Sequence, residues 1–466
     1  MTTPSSPLRI GNVSASRNDR ASAAAEFLSA AALDVLALDM LSDEAMLELA
    51  EQGARGGSGY ESAALVQIGE CLELIGAGGV RIVTNAGALD PAGLAEALRG
   101  VAAEAGVLLS VASVDSGDVT DRAVALGLGE ADVATVRHGA FGIARALAGG
   151  AHVVVTGRVS REALVTGAAA AHHGWTPAAL DALAGSVAVG HVLSGGPGAT
   201  GVVDSSTDVT RTTDPVTGGY PIAEIAADGS AVITRHPSAF GSVTVGTVTD
   251  QLLDGVAGSR YAAPDVVLRL DSVRLAQEGS DRVRLTGARG EPAPPVVAVV
   301  AMTRGPGRPQ RVARPLAQEE AGHTVVLPGG ERVAVPVPPE TADIGPGELP
   351  TPWSPGSVPG GAPVTSVLGS IAGVHRGVVG RGVNIAVWTW DDSAFAWLAG
   401  ELTVERFREL VPGLEGMETM LYLLPNLRAV NLVARPPRGT VLDTAVGADL
   451  ASARLEIPGE LLEVGP

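Results

Sequence analysis

The sequence predicts an α/β protein: a largely parallel sheet flanked by helices with an antiparallel extension, then a smaller C-terminal α/β or α+β domain. Three observations lead there. Over roughly the first 200 residues, β-branched runs, polar turns and helix-like stretches recur in that order, the pattern of strands joined by crossover helices. From about residue 220 the runs crowd together between Gly-containing turns, as antiparallel strands do. Residues 305–363 are rich in Pro and Gly, which reads as a linker or surface arm. The expected division is 7–304, 305–363 and 364–463.

Residues 8–10 open the sheet and 20–31 read as a helix. The apolar run 35–38 ends at Asp39 and a helical stretch covers 42–52. The run 80–83 ends in Thr84-Asn85-Ala86-Gly87. A helix over 91–100 follows, with Asp90 as N-cap and Pro91 in its first turn. A strand over 107–111 precedes Asp115 and Asp118, and 152–155 runs into Thr156-Gly157-Arg158 before a helix over 161–171. Strands are expected over 230–234, 242–248, 266–276, 282–285 and 296–303. In the last part, strands are expected over 384–389, 429–433 and 454–457, and helices over 392–398 and 404–410.

Apolar residues make up 46% of the 466 positions and charged ones 18%, which suits a large interior and excludes disorder of the whole chain. Only 3% are aromatic, so Ala, Val and Leu must fill the core. The net charge of −19 opposes a nucleic-acid partner. No apolar run is long enough for a membrane span, and residues 1–7 lack the pattern of a secretion signal; a cytoplasmic location is expected. There is no lysine, which removes pyridoxal-phosphate Schiff bases, lysine aldolases and the P-loop lysine. The single cysteine, Cys71, removes intrachain disulfides and Cys-ligated clusters, and its apolar surroundings mark it as a buried hydrophobe. Neither a metal nor a cofactor is expected.

Parallel sheets bind ligands at the carboxyl ends of their strands. This places Asp39, Asn85, Asp115 and Arg158 in candidate positions. Asn85 suits orienting a carbonyl or carboxylate, or simply closing its own turn. Arg158 suits clamping an anion, or pairing with Asp115 or Asp118. His191, before the glycine-rich turn 194–201, is a candidate acid or base, or a packed histidine. Asp39 and Asp19 are candidates for a general base or for holding a metal, and Asp19 suits better a pair with a neighbouring Arg or a cap of the helix after it. His172-His173 reads as a solvated or capping helix end. The Gly195-Gly196-Pro197-Gly198 turn lacks the strand and helix context of a dinucleotide site.

Several segments resemble the acyclic terpene utilisation (AtuA-like) family, in shared order over most of the chain. They are Arg9-Ile10-Gly11-Asn12 with Asp19-Arg20, Asp39-Met40-Leu41, Gly59-Tyr60, and Thr84-Asn85-Ala86-Gly87 through Leu94. The strand 153–159 ending in Thr156-Gly157-Arg158, Gly190-His191, Ala199-Thr200-Gly201 and the run 219–224 follow. Arg235-His236-Pro237 and Pro264-Asp265 extend the series, and 388–398 and 424–429 resemble the family's smaller second domain. The chain also departs from the pattern. Ser194-Gly195-Gly196 stands where the family has Glu-Cys-Gly, and Arg161 where an acidic residue follows the Thr-Gly-Arg strand end. His375-Arg376-Gly377-Val378-Val379-Gly380 replaces an Arg-Ser-Gly-Asp-Lys-Gly loop.

The resemblance implies a substrate class of branched terpenoid acids as acyl-thioesters. The expected site joins His191, Asp39 and Asp19 as proton carriers. Asn85, Arg158, Thr84, Thr156, Thr200, His375 and Arg376 are the expected substrate contacts. The reading is an acid–base enzyme (lyase, hydratase/dehydratase or cyclase) for a small hydrophobic substrate with a carbonyl or carboxylate, expected to be a homo-oligomer. The other reading is a non-catalytic binding or scaffolding subunit that works with a partner chain.

Overall fold

The computed structural model describes residues 6–13, 22–30, 32–77, 79–201, 219–237, 240–305, 309–344, 360–437 and 445–463. The chain opens with β1 (Leu8–Val13), α1 (Ala23–Ala30), β2 (Val35–Leu38), α2 (Asp43–Ala54), α3 (Ser62–Glu70), α4 (Leu72–Gly76) and β3 (Arg81–Ala88). Then come α5 (Pro91–Glu104), β4 (Val111–Val114), β5 (Val133–Val136), α6 (Phe141–Ala148), β6 (Val153–Gly157), α7 (Ala163–His173) and α8 (Leu180–Leu193). Strands β1, β2, β3, β6 and β4 lie side by side in that order, and all four pairings are parallel.

Local chemistry sets the helix starts. The Asp90 carboxylate accepts from Gly93 N at 2.8 Å, with Pro91 in the first turn of α5 where no N–H is needed. Ser42 caps α2 through Ala45 N at 3.1 Å. Alternate residues of each central strand face opposite cores. Ile82, Val153 and Val155 meet Leu94 and Leu98 of α5 on one face. Val83 and Val154 meet Leu164 and Ala168 of α7 on the other. The helix after β3 and the helix after β6 therefore cover opposite faces, although β3 and β6 are neighbours. A crevice opens at such a switch point, beyond the carboxyl ends of the two strands. Glycine makes the crossing close: a Cβ on Gly157 would lie 2.4 Å from Ser116 Cα and 2.7 Å from Ala88 O.

The antiparallel part begins at β7 (Pro221–Ile225), which pairs with β1, and β8 (Ala231–Arg235). It continues through α9 (Val245–Leu253), β9 (Arg260–Ala262), β10 (Val267–Arg269), β11 (Arg274–Gly279), β12 (Arg282–Thr286) and β13 (Arg289–Glu291). Strands β8, β12 and β11 extend the main sheet, whereas β9, β10 and β13 form a small sheet of their own. Next, β14 (Val296–Thr303) pairs with β5 and with β15 (Gln310–Ala317). Strands β16 (His323–Val326) and β17 (Arg332–Val335) complete an eleven-stranded sheet at the β4 edge.

Four local expectations change. The strand expected over 266–276 is broken by a 3-10 turn at Leu270–Ser272 into β10 and β11, which belong to different sheets. The run 242–248 is not a strand: Thr244 and Thr247 form a reciprocal capping box that starts α9. Its Val and Thr residues carry β propensity, and the cap overrides it. The strand expected over 107–111 begins only at Val111, because Leu108 is 93% exposed and the apolar run starts outside the sheet. The stretch read as a linker holds the paired strands β15, β16 and β17, with Pro315 inside the first of them.

The last elements are β18 (Pro363–Val367), β19 (Ala372–Val379), β20 (Gly382–Thr389), α10 (Asp392–Glu401), α11 (Val404–Leu410), β21 (Glu418–Leu424), β22 (Ala429–Arg435), β23 (Arg454–Pro458) and α12 (Gly459–Glu463). Strands β19, β20, β22 and β21 form one antiparallel sheet. Phe395, Trp397 and Phe407 of α10 and α11 pack into a core with Ile385, Val430 and Leu432. The whole is a mixed α/β fold, with a large central sheet and smaller antiparallel sheets toward the C-terminus. Among the described residues no helix is long and apolar enough to cross a membrane.

Candidate active site

Two groups of polar residues lie beyond the carboxyl ends of the parallel strands, and they differ in how their hydrogen-bonding capacity is used. The first is a knot between the ends of β2, β3 and β6. Asn85 is buried; its Nδ2 donates to Asp39 Oδ1 at 2.6 Å and its Oδ1 accepts from Met40 N at 2.8 Å. Thr84 Oγ1 donates to Leu38 O at 3.0 Å. Arg158 donates to Leu41 O and pairs with Asp43 Oδ1 at 3.3 Å, so its carboxylate partner is neither Asp115 nor Asp118. Thr156 Oγ1 turns back to Gly157 O at 2.8 Å. These side chains hold the 39–43 turn against β3 and β6.

The second group lines a cleft of about 610 Å³. Arg161 and Glu162 enter it from the turn after β6, His191 from α8, Asp254 from the end of α9 and Tyr261 from β9. Val296, Val297, Val300 and Pro315 supply an apolar wall, with Ile344 and Val378 at the rim. Arg137, Arg311 and Arg314 add positive charge. Asp254 is the hub: Oδ2 pairs with Arg161 at 2.9 Å and Oδ1 contacts His375 Nε2 at 3.3 Å. Burial alone would raise its pKa, but the bond from His375 and the charge of Arg161 prevail and hold the carboxylate well below its usual range.

His191 is buried against Tyr261, with ring centroids 4.8 Å apart. Its Nε2 lies 3.0 Å from Asp254 O. A carbonyl oxygen only accepts, so Nε2 carries the proton and Nδ1 presents a lone pair. Among the described residues that Nδ1 has no partner. Burial, followed by the charge of Arg161, lowers the imidazole pKa to about 4, which keeps the ring neutral at physiological pH.

Glu162 is 2% exposed and accepts from Tyr261 Oη at 3.2 Å. Burial raises its pKa, and burial raises that of Tyr261 well above the ordinary phenol value. Burial thus favours the protonated form of Glu162 and the neutral form of His191, and Tyr261 touches both side chains.

The C-terminal sheet builds one side of this site. A Cβ on Gly377 would lie 2.3 Å from Gly255 N and 2.7 Å from Asp254 Oδ1, so glycine lets β19 reach the 254–255 turn. Asn384 Nδ2 donates to Leu253 O at 2.7 Å, and Asn431 Nδ2 to Val256 O at 3.2 Å. Buried asparagines on β20 and β22 thus pin both sides of that turn.

Of the residues expected from sequence, His191 lines the cleft and His375 stands behind it on Asp254. Asp39, Asn85, Thr84, Thr156 and Arg158 form the adjoining knot; the negative field of Asp39 reaches Arg161 and helps to keep it charged, after the larger effect of Asp254. Thr200 lies outside the cleft, bonded to Pro197 O at 2.9 Å. Arg376 follows His375 along β19 and faces the other side of that strand. Asp19 lies outside the described residues. Cys71 is wholly buried, and burial pushes its thiol up to about 12, which makes it inert. Among the described residues no group of His, Cys, Asp or Glu is arranged to hold a metal ion.

Sequence reasoning missed Glu162, Asp254 and Tyr261. Glu162 had a signal: it directly follows Arg161, where the resemblance breaks down, one position after the expected acid. Asp254 ends α9, a helix where a strand was expected, and Tyr261 lies on the short strand β9, for which no strand was expected.

The sequence pattern of the family described as acyclic terpene utilisation family protein AtuA matches residues 8–307. The chain belongs to the AtuA family. The match spans β1 to the end of β14 and includes both polar groups, apart from Arg311, Arg314 and the C-terminal contribution of His375. No curated protein and no solved structure matches the chain.

Proposed function

We propose that this AtuA family member is an acid–base enzyme acting on a small hydrophobic molecule that bears a carbonyl or carboxylate, by lyase, hydratase/dehydratase or cyclase chemistry. One observation supports this above the rest. Glu162, His191 and Arg161 share a cleft with an apolar wall, and burial shifts the first two in opposite senses, raising the carboxyl and lowering the imidazole. In this reading Arg161, steadied by Asp254, binds the substrate oxygen through its guanidinium. His191 Nδ1 accepts a proton from carbon or water, and the Glu162 carboxyl donates one to the leaving or carbonyl oxygen. Asn85, Asp39 and Arg158 act one step back by fixing the 39–43 turn. The terpenoid acyl-thioester class is the first to try, given the family's association with terpene utilisation.

The test incubates branched acyl-thioesters with the wild type, Glu162→Gln, His191→Asn and Arg161→Gln, and follows substrate loss by mass spectrometry. Turnover by the wild type and its loss in all three variants supports the assignment. Equal turnover by the four proteins overturns it.

A further inference from the structure

The charge count at the mouth of the cleft does not balance. Arg137, Arg158 and Arg311 all pair with the one carboxylate of Asp43; Arg158 Nη2 reaches Oδ1 at 3.3 Å and Arg311 Nε reaches Oδ2 at 2.7 Å. Among the described residues no other carboxylate forms an ion pair with any of the three, nor does any with Arg314. Three guanidinium groups against one carboxylate leave two positive charges uncompensated. Two of the three are largely removed from water, with side-chain exposures of 17% for Arg137 and 12% for Arg158. The Nε atoms of both are buried without a partner.

This arrangement is costly in an empty protein. Desolvated charge without a partner is among the most destabilising features that a fold can hold. Burial, and next the repulsion of Arg158, lowers the pKa of Arg137 to about 10 in spite of Asp43. The excess stands out further because the chain as a whole carries −19. Arg137, Arg311 and Arg314 line the same cleft as His191 and Glu162, together with Val296, Val297 and Val300.

We propose that Arg137, Arg311 and Arg314 form a binding site for a dianionic phosphoryl group, carried by the same ligand whose apolar part lies along Val296, Val297 and Val300. The site rests on the reading of this cleft as the ligand-binding site and adds a head group to it. Guanidinium forks match the tetrahedral oxygens of a phosphoryl group two at a time. Asp43 keeps Arg137 and Arg311 oriented while the site is empty, Arg314 joins them from the same strand as Arg311, and the incoming dianion supplies the two negative charges that the cluster around Asp43 lacks. Arg158, tied to Leu41 O, stays behind as part of the frame.

The test compares three probes by titration calorimetry at pH 8 and constant ionic strength: inorganic phosphate, octanoate and octyl phosphate, with chloride as the background ion. The expected result is that octyl phosphate binds at least tenfold more tightly than octanoate. That advantage should fall at least fivefold in Arg311→Gln and in Arg314→Gln, two exposed residues whose replacement leaves the circular dichroism spectrum unchanged. Inorganic phosphate should bind weakly and compete. Equal affinities for octyl phosphate and octanoate, or an advantage untouched by both substitutions, would overturn the phosphoryl site while leaving the cleft reading intact. Failure of all three probes to bind would overturn both.

Discussion

The knot around Asp39, Asn85 and Asp43 and the cleft around His191 and Glu162 are built from the same kinds of residue at the same end of the same sheet. In the knot each polar side chain has a partner, although the Arg158 Nε does not: Asn85 has Asp39 and Met40 N, Thr84 has Leu38 O, and Arg158 has Leu41 O and Asp43. In the cleft, among the described residues, His191 Nδ1 has no partner and Glu162 has no ion pair, although both are buried. A satisfied network specifies geometry. Unmet capacity beside a cavity is where a ligand can be recognised or a proton moved. Strand ends supply the knot and, through Arg161 and Glu162, part of the cleft; helices α8 and α9 and strand β9 supply other parts of it.

Four substitutions or titrations bear on that contrast. The largest expected effect is on turnover. Glu162→Gln removes the proton donor without changing the side chain's shape, so kcat should fall by about 10²–10⁴-fold while Tm moves by only a few degrees. A large drop in Tm with kcat per folded molecule unchanged would place Glu162 among the structural residues instead.

Next is Asp43→Asn, which should act through stability. It leaves Arg137 and Arg158 buried without their carboxylate, at a cost of about 3–5 kcal/mol, measurable by urea denaturation. Asp43 is itself kept well ionised: burial opposes this, but Arg137 and Arg158, and then Arg311, outweigh it. A loss below about 1 kcal/mol would mean that the three arginines need no counter-charge.

His191 should leave a signature in the pH dependence of stability. Its pKa is about 4 folded against about 6.5 unfolded, so the unfolded chain binds the extra proton between those values. Stability from this residue is fully present above the unfolded value and is lost as pH falls toward the folded one, by about 3 kcal/mol in all. Asp265 works in the opposite sense, because burial raises its carboxyl to about 7. Its stabilising effect is present below the unfolded carboxylate pKa and is lost as pH rises toward neutrality. The comparison of wild type with His191→Asn from pH 7 to pH 4 isolates the first effect. Parallel stability curves would contradict it.

Asn85→Ala should have the smallest effect of the four. It leaves Met40 N without its acceptor and costs about 1–3 kcal/mol. Turnover of the molecules that remain folded should change less than for Glu162→Gln. The reverse order of sensitivity would exchange the roles of knot and cleft.

The parallel half of the fold was legible because its signals are local: apolar runs of four or five residues, Asp90 before Pro91, glycines after strands. The switch point was not, since the order β1-β2-β3-β6-β4 depends on which face α5 and α7 cover. His191 could be singled out because imidazole is rare in this sequence and sits beside a glycine-rich turn. Glu162 and Asp254 could not, because a carboxylate among 51 acidic residues carries no mark of its burial. The part played by the C-terminal sheet was equally hidden. It rests on Gly377, Asn384 and Asn431, each ordinary in sequence and each placed against the 253–256 turn by the tertiary fold. The expected linker misled for a related reason, since Pro and Gly between strands resemble Pro and Gly between domains.

The eight histidines provide the most direct test, because they report from separate parts of the molecule. Titration of octyl phosphate into ¹⁵N-histidine-labelled protein, followed through the imidazole nitrogens, should shift His191 strongly and His375 less. His152 and His172, which line a separate cavity with Arg81, should stay still. Movement of His152 and His172 with His191 unmoved would contradict the placement of the site.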